Sequence, residues 1–116
     1  MEITRAYVKS ILPHRDPEGH KGTFGKVYCL CGAVGYTGAP VLAASAAVRS
    51  GSGLVFLGVP KDIWPIVAVK CDSAMPSPLP SQQGKLALAA EDAVRAQIDG
   101  CDAVLILSLI HISEPT

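Results

Sequence analysis

Three short apolar runs constrain this chain more than anything else in it: Lys26-Val-Tyr-Cys-Leu-Cys31, Leu54-Val-Phe-Leu-Gly-Val59 and Cys101-Asp-Ala-Val-Leu-Ile106. The first is ended by Gly32 and the second by Pro60. Strands that face solvent on one side alternate polar with apolar residues. Runs apolar on both faces belong in a parallel sheet covered by helices on both sides. Between the first two runs lies Pro40-Val-Leu-Ala-Ala-Ser-Ala-Ala-Val-Arg-Ser50, a helical pattern whose small residues allow close approach to a neighbour. Strand, helix, strand in this order is a βαβ unit with a right-handed crossover. The expected class is α/β, a parallel or mixed sheet with covering helices.

The remaining segments fit around that unit. Residues 1–12 are expected to form a short amphipathic helix, capped by Thr4, with Ala6, Tyr7, Ile11 and Leu12 near one face. Residues 13–24 are polar, with prolines and glycines, and read as a surface connection. Thr37 or Gly38 can cap the helix over 40–50, Pro40 suits its first turn, and Gly51 and Gly53 stop it. Asp62 is expected to cap a second helix, with Pro65 in its first turn, running to about Lys70. Residues 71–84 carry Pro76, Pro78 and Pro80 and read as irregular, with a short edge strand near Ala74 and Met75. A third helix is expected over 85–98, with Leu86, Ala89, Ala90, Ala93, Val94 and Ile98 on one side. Residues 101–106 then begin a third buried strand.

Composition narrows the function classes. Ten Lys+Arg balance ten Asp+Glu among 116 residues, which argues against a nucleic-acid partner. Mean hydropathy is high, at +0.35. No clean apolar run of ~18 residues is present, so no membrane span is expected. Met1–Ser10 holds no apolar leader, and a cytoplasmic location is expected. The cysteines Cys29, Cys31, Cys71 and Cys101 lack zinc-site spacing and read as small buried hydrophobes in a reducing compartment. Cys29 and Cys31 share one strand face.

One loop could carry chemistry. Gly32-Ala-Val-Gly-Tyr-Thr-Gly-Ala-Pro40 follows a strand and leads into a helix. Ligands of open parallel sheets bind beyond the carboxyl ends of strands, and a helix N-terminus favours anions. The loop is neither a Walker A sequence nor G-x-G-x-x-G. Phosphate contact and a plain tight turn both remain open on these residues. His14, His20 and Lys21 lie in the polar connector, which reads either as a solvated surface loop or as bringing His20, Lys21 and Gly22 back to the same cleft. No Ser/His/Asp, Cys/His or paired-carboxylate constellation is placed. Asp62, Asp72, Glu91, Asp92 and Asp102 read as caps or helix surface, and Phe56 and Trp64 as core aromatics.

Three stretches together resemble one family. His20-Lys21-Gly22 with Gly25 is similar to its HKG-x-x-G entry, and Gly32–Pro40 to its G-S-x-x-Y-T-G-A-P loop. Ala47-Val-Arg-Ser-Gly-Ser-Gly-Leu-Val55 is similar to its A-x-R-x-G-A-G-L-V helix-to-strand junction. The family is the ADP/ATP-dependent NAD(P)H-hydrate dehydratases, and the resemblance runs from residue 1 to about Ile106. It implies a ribokinase-like fold of which only the N-terminal βαβ portion is present. It also implies dehydration of hydrated NADH or NADPH at the expense of ADP or ATP, with Mg²⁺, by a homo-oligomer when full length. The substrate contacts it implies are Ala39, flanked by Gly38, Thr37, Tyr36 and Gly32, with His20 and Lys21 from the connector. Ala33 stands where the family usually has Ser, which removes one hydroxyl.

A larger departure follows Ile106. The family continues into G-P-G-L-G and later G-x-G-D, whereas this chain reads Leu107-Ser-Leu-Ile-His-Ile-Ser-Glu-Pro-Thr116. That decapeptide resembles the in-frame translation of a transposase adapter used in preparing DNA libraries. Residues 1–106 are therefore expected to be the first part of a dehydratase domain, and 107–116 a non-native tail in which His111 has no role. Rival expectations are a ribokinase-like kinase of a small hydroxylated metabolite and a non-enzymatic α/β nucleotide-binding module. A piece cut from a larger sheet is also expected to aggregate or dimerise through its open edge. Sequencing the source DNA checks the tail: an adapter match after codon 106 is expected, and genomic sequence continuing without one refutes it.

Overall fold

The computed structural model describes residues 1–12, 17–19 and 24–107 and, for the backbone alone, 112–113. In chain order the elements are α1 (Arg5–Ile11), β1 (Lys26–Leu30), α2 (Gly38–Arg49), β2 (Leu54–Pro60), α3 (Trp64–Lys70), β3 (Met75–Leu79), β4 (Ser81–Gln82), β5 (Lys85–Ala87), α4 (Glu91–Asp99), β6 (Ala103–Ile106) and β7 (Ile112–Ser113). A 3₁₀ turn, Leu88–Ala90, precedes α4.

The first two apolar runs form the centre. β1 pairs in parallel with β2, from Lys26 opposite Leu54 to Leu30 opposite Gly58. β3 joins the far side of β2 and β6 the far side of β1, both in parallel, giving the order β3-β2-β1-β6. Alternate residues of β1 then face different layers. Cys29 and Cys31 join Val55, Leu57 and Val59 beneath Ala44 of α2, Val67 of α3 and Ile63 at its cap. Tyr28 and Leu30 turn the other way, to Leu79, Leu86 and Ala90, with Phe56, Val94 and Ile98 at the margin. Each fully buried Leu or Val in these layers contributes about 1.5–3 kcal/mol. The α/β class and the parallel βαβ unit are therefore as expected.

Several local expectations change. The helix expected over 85–98 is a strand, a 3₁₀ turn and only then α4. The cause is a two-residue hairpin turn. Gln83 (φ 54°) and Gly84 (φ 74°) both take positive φ, and Gln82 pairs with Lys85 and Ser81 with Leu86. Positive φ at both turn residues is the type I′ geometry that joins antiparallel strands. The helix begins only at Glu91, where Glu91 and Asp92 favour the positive end of its dipole. Leu86 and Ala90 do face the core, while Ala89 and Ala93 are exposed.

Asp62 does not cap α3. Ile63 occupies the cap position, and the Asp62 carboxylate instead accepts a hydrogen bond from the Ser81 hydroxyl. Asp102 is not helix surface either: its carboxylate accepts the Lys26 N–H at 2.8 Å and ties the start of β6 to the start of β1. β3 is longer than the expected edge strand, and its outer position explains its prolines. Pro76 and Pro78 remove N–H groups from one side of the strand, which only an edge tolerates. Trp64 Nε1 donates to the Pro76 carbonyl at 3.0 Å and leaves its ring half-buried against the core.

β6 starts at Ala103 and its four residues are exposed, so it is not the buried strand expected. Among the described strands it pairs only with β1, and Ile106 is 60% accessible. α1 is capped as expected, with Thr4 Oγ1 accepting the Tyr7 N–H at 3.1 Å, but none of its residues is buried. Of the cysteines, Cys29 and Cys31 are buried, while Cys71 and Cys101 are only half-buried. No helix among the described residues is long and apolar enough to cross a membrane.

Gly58 shows how tightly the central strands are packed. A Cβ there would collide with the Tyr28 hydroxyl and approach Leu79 Cδ1 to 2.9 Å. Overpacking of this kind costs about 1–3 kcal/mol. Gly58→Ala is therefore expected to lower the unfolding free energy by that amount, read as a lower urea midpoint at unchanged slope, and an unchanged midpoint refutes this packing.

Candidate functional site

Strand order places the candidate site. The chain moves outward from β1 to β2 to β3, then returns to the other side of β1 for β6. The direction reverses between β1 and β6, and ligands of open α/β sheets bind outside the carboxyl ends of strands at such a switch point. The segment that leaves β1 there is Cys31–Thr37.

Its conformation follows from two glycines. Gly32 sits at φ +101°, and a Cβ there would lie 2.7 Å from Pro40 Cγ and 2.9 Å from Ile63 Cδ1. Only glycine fits both the dihedral and the space. Ala33 to Tyr36 then form a tight turn, closed by the Tyr36 N–H donating to the Ala33 carbonyl at 2.8 Å. Gly35, at φ +87°, supplies the positive φ that the third position of a type II turn requires. Val34, Gly35, Tyr36 and Gly38 are exposed, and Thr37 and Ala39 are half-buried. A Cβ at Gly35 or Gly38 would meet nothing within 4 Å, so the outer side of the loop is open.

α2 starts at Gly38, two residues earlier than the expected span. Thr37 takes the cap position as one of the two candidates, but its side chain makes no capping hydrogen bond. The helix therefore opens on the backbone N–H groups of Gly38 and Ala39, with no acidic residue in its first turn. The loop carries no charged side chain. An anion held here is recognised by backbone N–H groups and the helix dipole.

The structure thus gathers Gly32, Tyr36, Thr37, Gly38 and Ala39 at the switch point. His20 and Lys21, with Gly22 and His14, lie outside the described residues. Ala39 also lines an open apolar groove of about 510 Å³ between α2 and Leu105 and Leu107. Cys31, the residue before Gly32, is no nucleophile. Burial, and then the neighbouring Cys29, push its thiol up to about 12, and reactive thiols need the opposite shift.

One contact to the loop has no counterpart among the sequence-based expectations. The Val34 N–H donates to the carbonyl of Gly84, 3.0 Å away at the tip of the β4–β5 hairpin. The dipeptide Gln83-Gly84 was the available signal, weakened because hairpin turns of this type favour Asn or Asp before the glycine.

A family profile described as NAD(P)H-hydrate dehydratase matches residues 27–105, which include this loop and all four strands of the main sheet but for their extreme residues. The chain belongs to the NAD(P)H-hydrate dehydratase family. It is 44% identical over 78 residues to the bifunctional NAD(P)H-hydrate repair enzyme Nnr of Moorella thermoacetica, covering 67% of this chain and 15% of that protein. Its fold matches a ribokinase-like superfamily protein of Enterococcus faecalis with TM-score 0.73 at 18% identity, over 96% of this chain and 36% of that one. It also matches the ADP/ATP-dependent NAD(P)H-hydrate dehydratase of Bacillus subtilis, co-crystallised with ATP/Mg²⁺. There the TM-score is 0.59 at 26% identity, over 89% of this chain and 44% of that one. The ribokinase-like class is thereby established, and the chain spans less than half the length of each of these relatives.

The thiols also set a pH dependence for this member of the dehydratase family. Burial raises Cys29 from its ordinary value of 9.0, and it raises Cys31 and Tyr28 to about 12. Between those limits the unfolded chain gives up protons that the folded chain keeps, so stability is full below pH 9.0 and falls as pH rises toward 12. The urea midpoint is expected to hold near neutrality and decline above pH 9.0, less steeply in Cys31→Val. Identical declines in the two proteins refute the assignment.

Proposed function

We propose that this chain supplies the substrate-facing N-terminal part of an ADP- or ATP-dependent (S)-NAD(P)H-hydrate dehydratase. The observation that carries the proposal is the Tyr36-Thr-Gly-Ala-Pro40 segment, with Tyr36 and Gly38 exposed at the uncapped start of α2 at the sheet's switch point. A dinucleotide hydrate offers what such a loop recognises, namely phosphate groups for backbone N–H donors. Ala39 faces the substrate, with Gly38, Thr37, Tyr36 and Gly32 shaping its wall, and His20 and Lys21 are assigned to the same ligand on the family resemblance alone.

The reaction in the whole protein is a phosphoryl transfer from the nucleotide to the hydrate hydroxyl, followed by loss of phosphate to restore NADH or NADPH. Such transfers depend on positioning and charge neutralisation more than on covalent help. Among the described residues no three His, Cys, Asp or Glu side chains come together to hold a metal ion. We assign the nucleotide, its Mg²⁺ and the catalytic acid to the part of the domain beyond this chain, and 107–116 to a non-native tail. The whole protein acts on a small molecule in the cytoplasm as a homo-oligomer, with no nucleic-acid or membrane partner.

The experiment has two arms. With hydrated NADPH, ADP or ATP and Mg²⁺, the 116-residue chain is expected to regenerate no NADPH, and turnover overturns the placing of the chemistry elsewhere. In a fluorescence titration with NADPH, the chain is expected to bind and Ala39→Glu to bind at least about tenfold more weakly. A carboxylate in the first turn favours the helix but repels an anionic ligand. Equal affinities overturn the assignment of this loop.

A further inference from the structure

The β4–β5 hairpin has ties on three sides. At its base the Ser81 hydroxyl donates to the Asp62 carboxylate, in the loop between β2 and α3. The Ala87 N–H donates to the Pro80 carbonyl at 3.0 Å, and the Lys61 N–H to the Leu79 carbonyl at 3.0 Å. Leu86, 2% accessible, anchors the second strand in the core. The tip then reaches back to the 32–38 loop. Gly84 accepts the Val34 N–H, and a Cβ built on Gly84 would lie 2.7 Å from Val34 Cγ2 and 2.9 Å from Val34 Cβ. Val34 is 57% accessible, so this contact is not a by-product of core packing. It joins residues fifty positions apart, at the second residue of the type II turn.

We propose that the β4–β5 hairpin is a strap that fixes the conformation of the 32–38 loop, with Gly84 as a positioning residue for the substrate assigned there. This rests on the substrate-loop assignment made under the proposed function. The tip can approach Val34 so closely only because residue 84 has no side chain and takes positive φ. The Val34 N–H then fixes the turn from outside, and Gly35 and Tyr36 keep their orientation toward the open side. The strap touches no ligand and acts through the loop.

Two substitutions push it in opposite directions. Gly84→Ala strains φ and drives a methyl group into Val34. Gln83→Asn suits the type I′ turn better than glutamine and tightens the hairpin without approaching the loop. Amide hydrogen exchange in the 116-residue chain reads the loop through the Tyr36 N–H and the sheet through the Leu57 N–H. Tyr36 is expected to exchange about tenfold faster in Gly84→Ala and about threefold slower in Gln83→Asn, with Leu57 unchanged. NADPH affinity, by fluorescence titration, is expected to fall and rise in step. If Gly84→Ala fails to fold, Gln83→Asn carries the test alone. Tyr36 exchange indifferent to the hairpin, or changing only together with Leu57, overturns the strap. Exchange that follows the hairpin while NADPH affinity stays constant overturns the positioning role. If the unsubstituted chain binds no NADPH but exchange still follows the hairpin, the strap stands and the substrate assignment fails.

Discussion

Everything in this fold depends on β1 being buried on both faces. A strand in that position has no solvent side to which a polar residue could be assigned. Cys29 and Cys31 need one helical layer and Tyr28 and Leu30 need another. The chain can meet that demand only by crossing over one face to build β2 and β3, then passing across the other face before β6. The reversal of strand direction that results is what leaves a crevice at the end of β1. The candidate site and the core are thus two outcomes of the same burial requirement.

Much of this was legible in the sequence because the relevant signals are local. The run from Val27 to Cys31 has one structural solution in an α/β chain, and so does Val55 to Val59. Pro40 lies in the first turn of α2, and Gly51, at φ +102°, terminates the helix as its position suggests. The errors arose where neighbouring packing decides. Residues 85–98 carry apolar spacing compatible with a helix, and Leu86 and Ala90 face the core in either conformation. The turn at Gln83-Gly84 tips the first part of that segment into a strand, because tertiary pairing with Ser81 and Gln82 outweighs the helix propensity of Leu and Ala. Asp62 and Asp102 were misassigned for a related reason. Each bonds across space, to Ser81 and to the Lys26 N–H, and no sequence window contains both partners.

The site divides in the same way. The glycine spacing announces a tight loop after β1, and the structure supplies the reason for each glycine it needs: Gly32 for space beside Pro40 and Ile63, Gly35 for the turn. The contact from Gly84 could not be read from the loop itself, because Val34 looks like an ordinary exposed valine. Its N–H rather than its side chain carries the interaction. A backbone donor leaves no mark on residue identity, and only the glycine opposite it records the contact.

The two edges of the main sheet are not equivalent. Pro76 and Pro78 interrupt the donor row along β3, while β6 presents an uninterrupted one beside the apolar groove on α2. The sheet therefore has a growing end and a blocked end. Any strand it recruits, from the rest of a domain or from a misfolded neighbour, must enter at β6. Assembly of this protein is vectorial, because one row of missing amide hydrogens forbids the opposite direction.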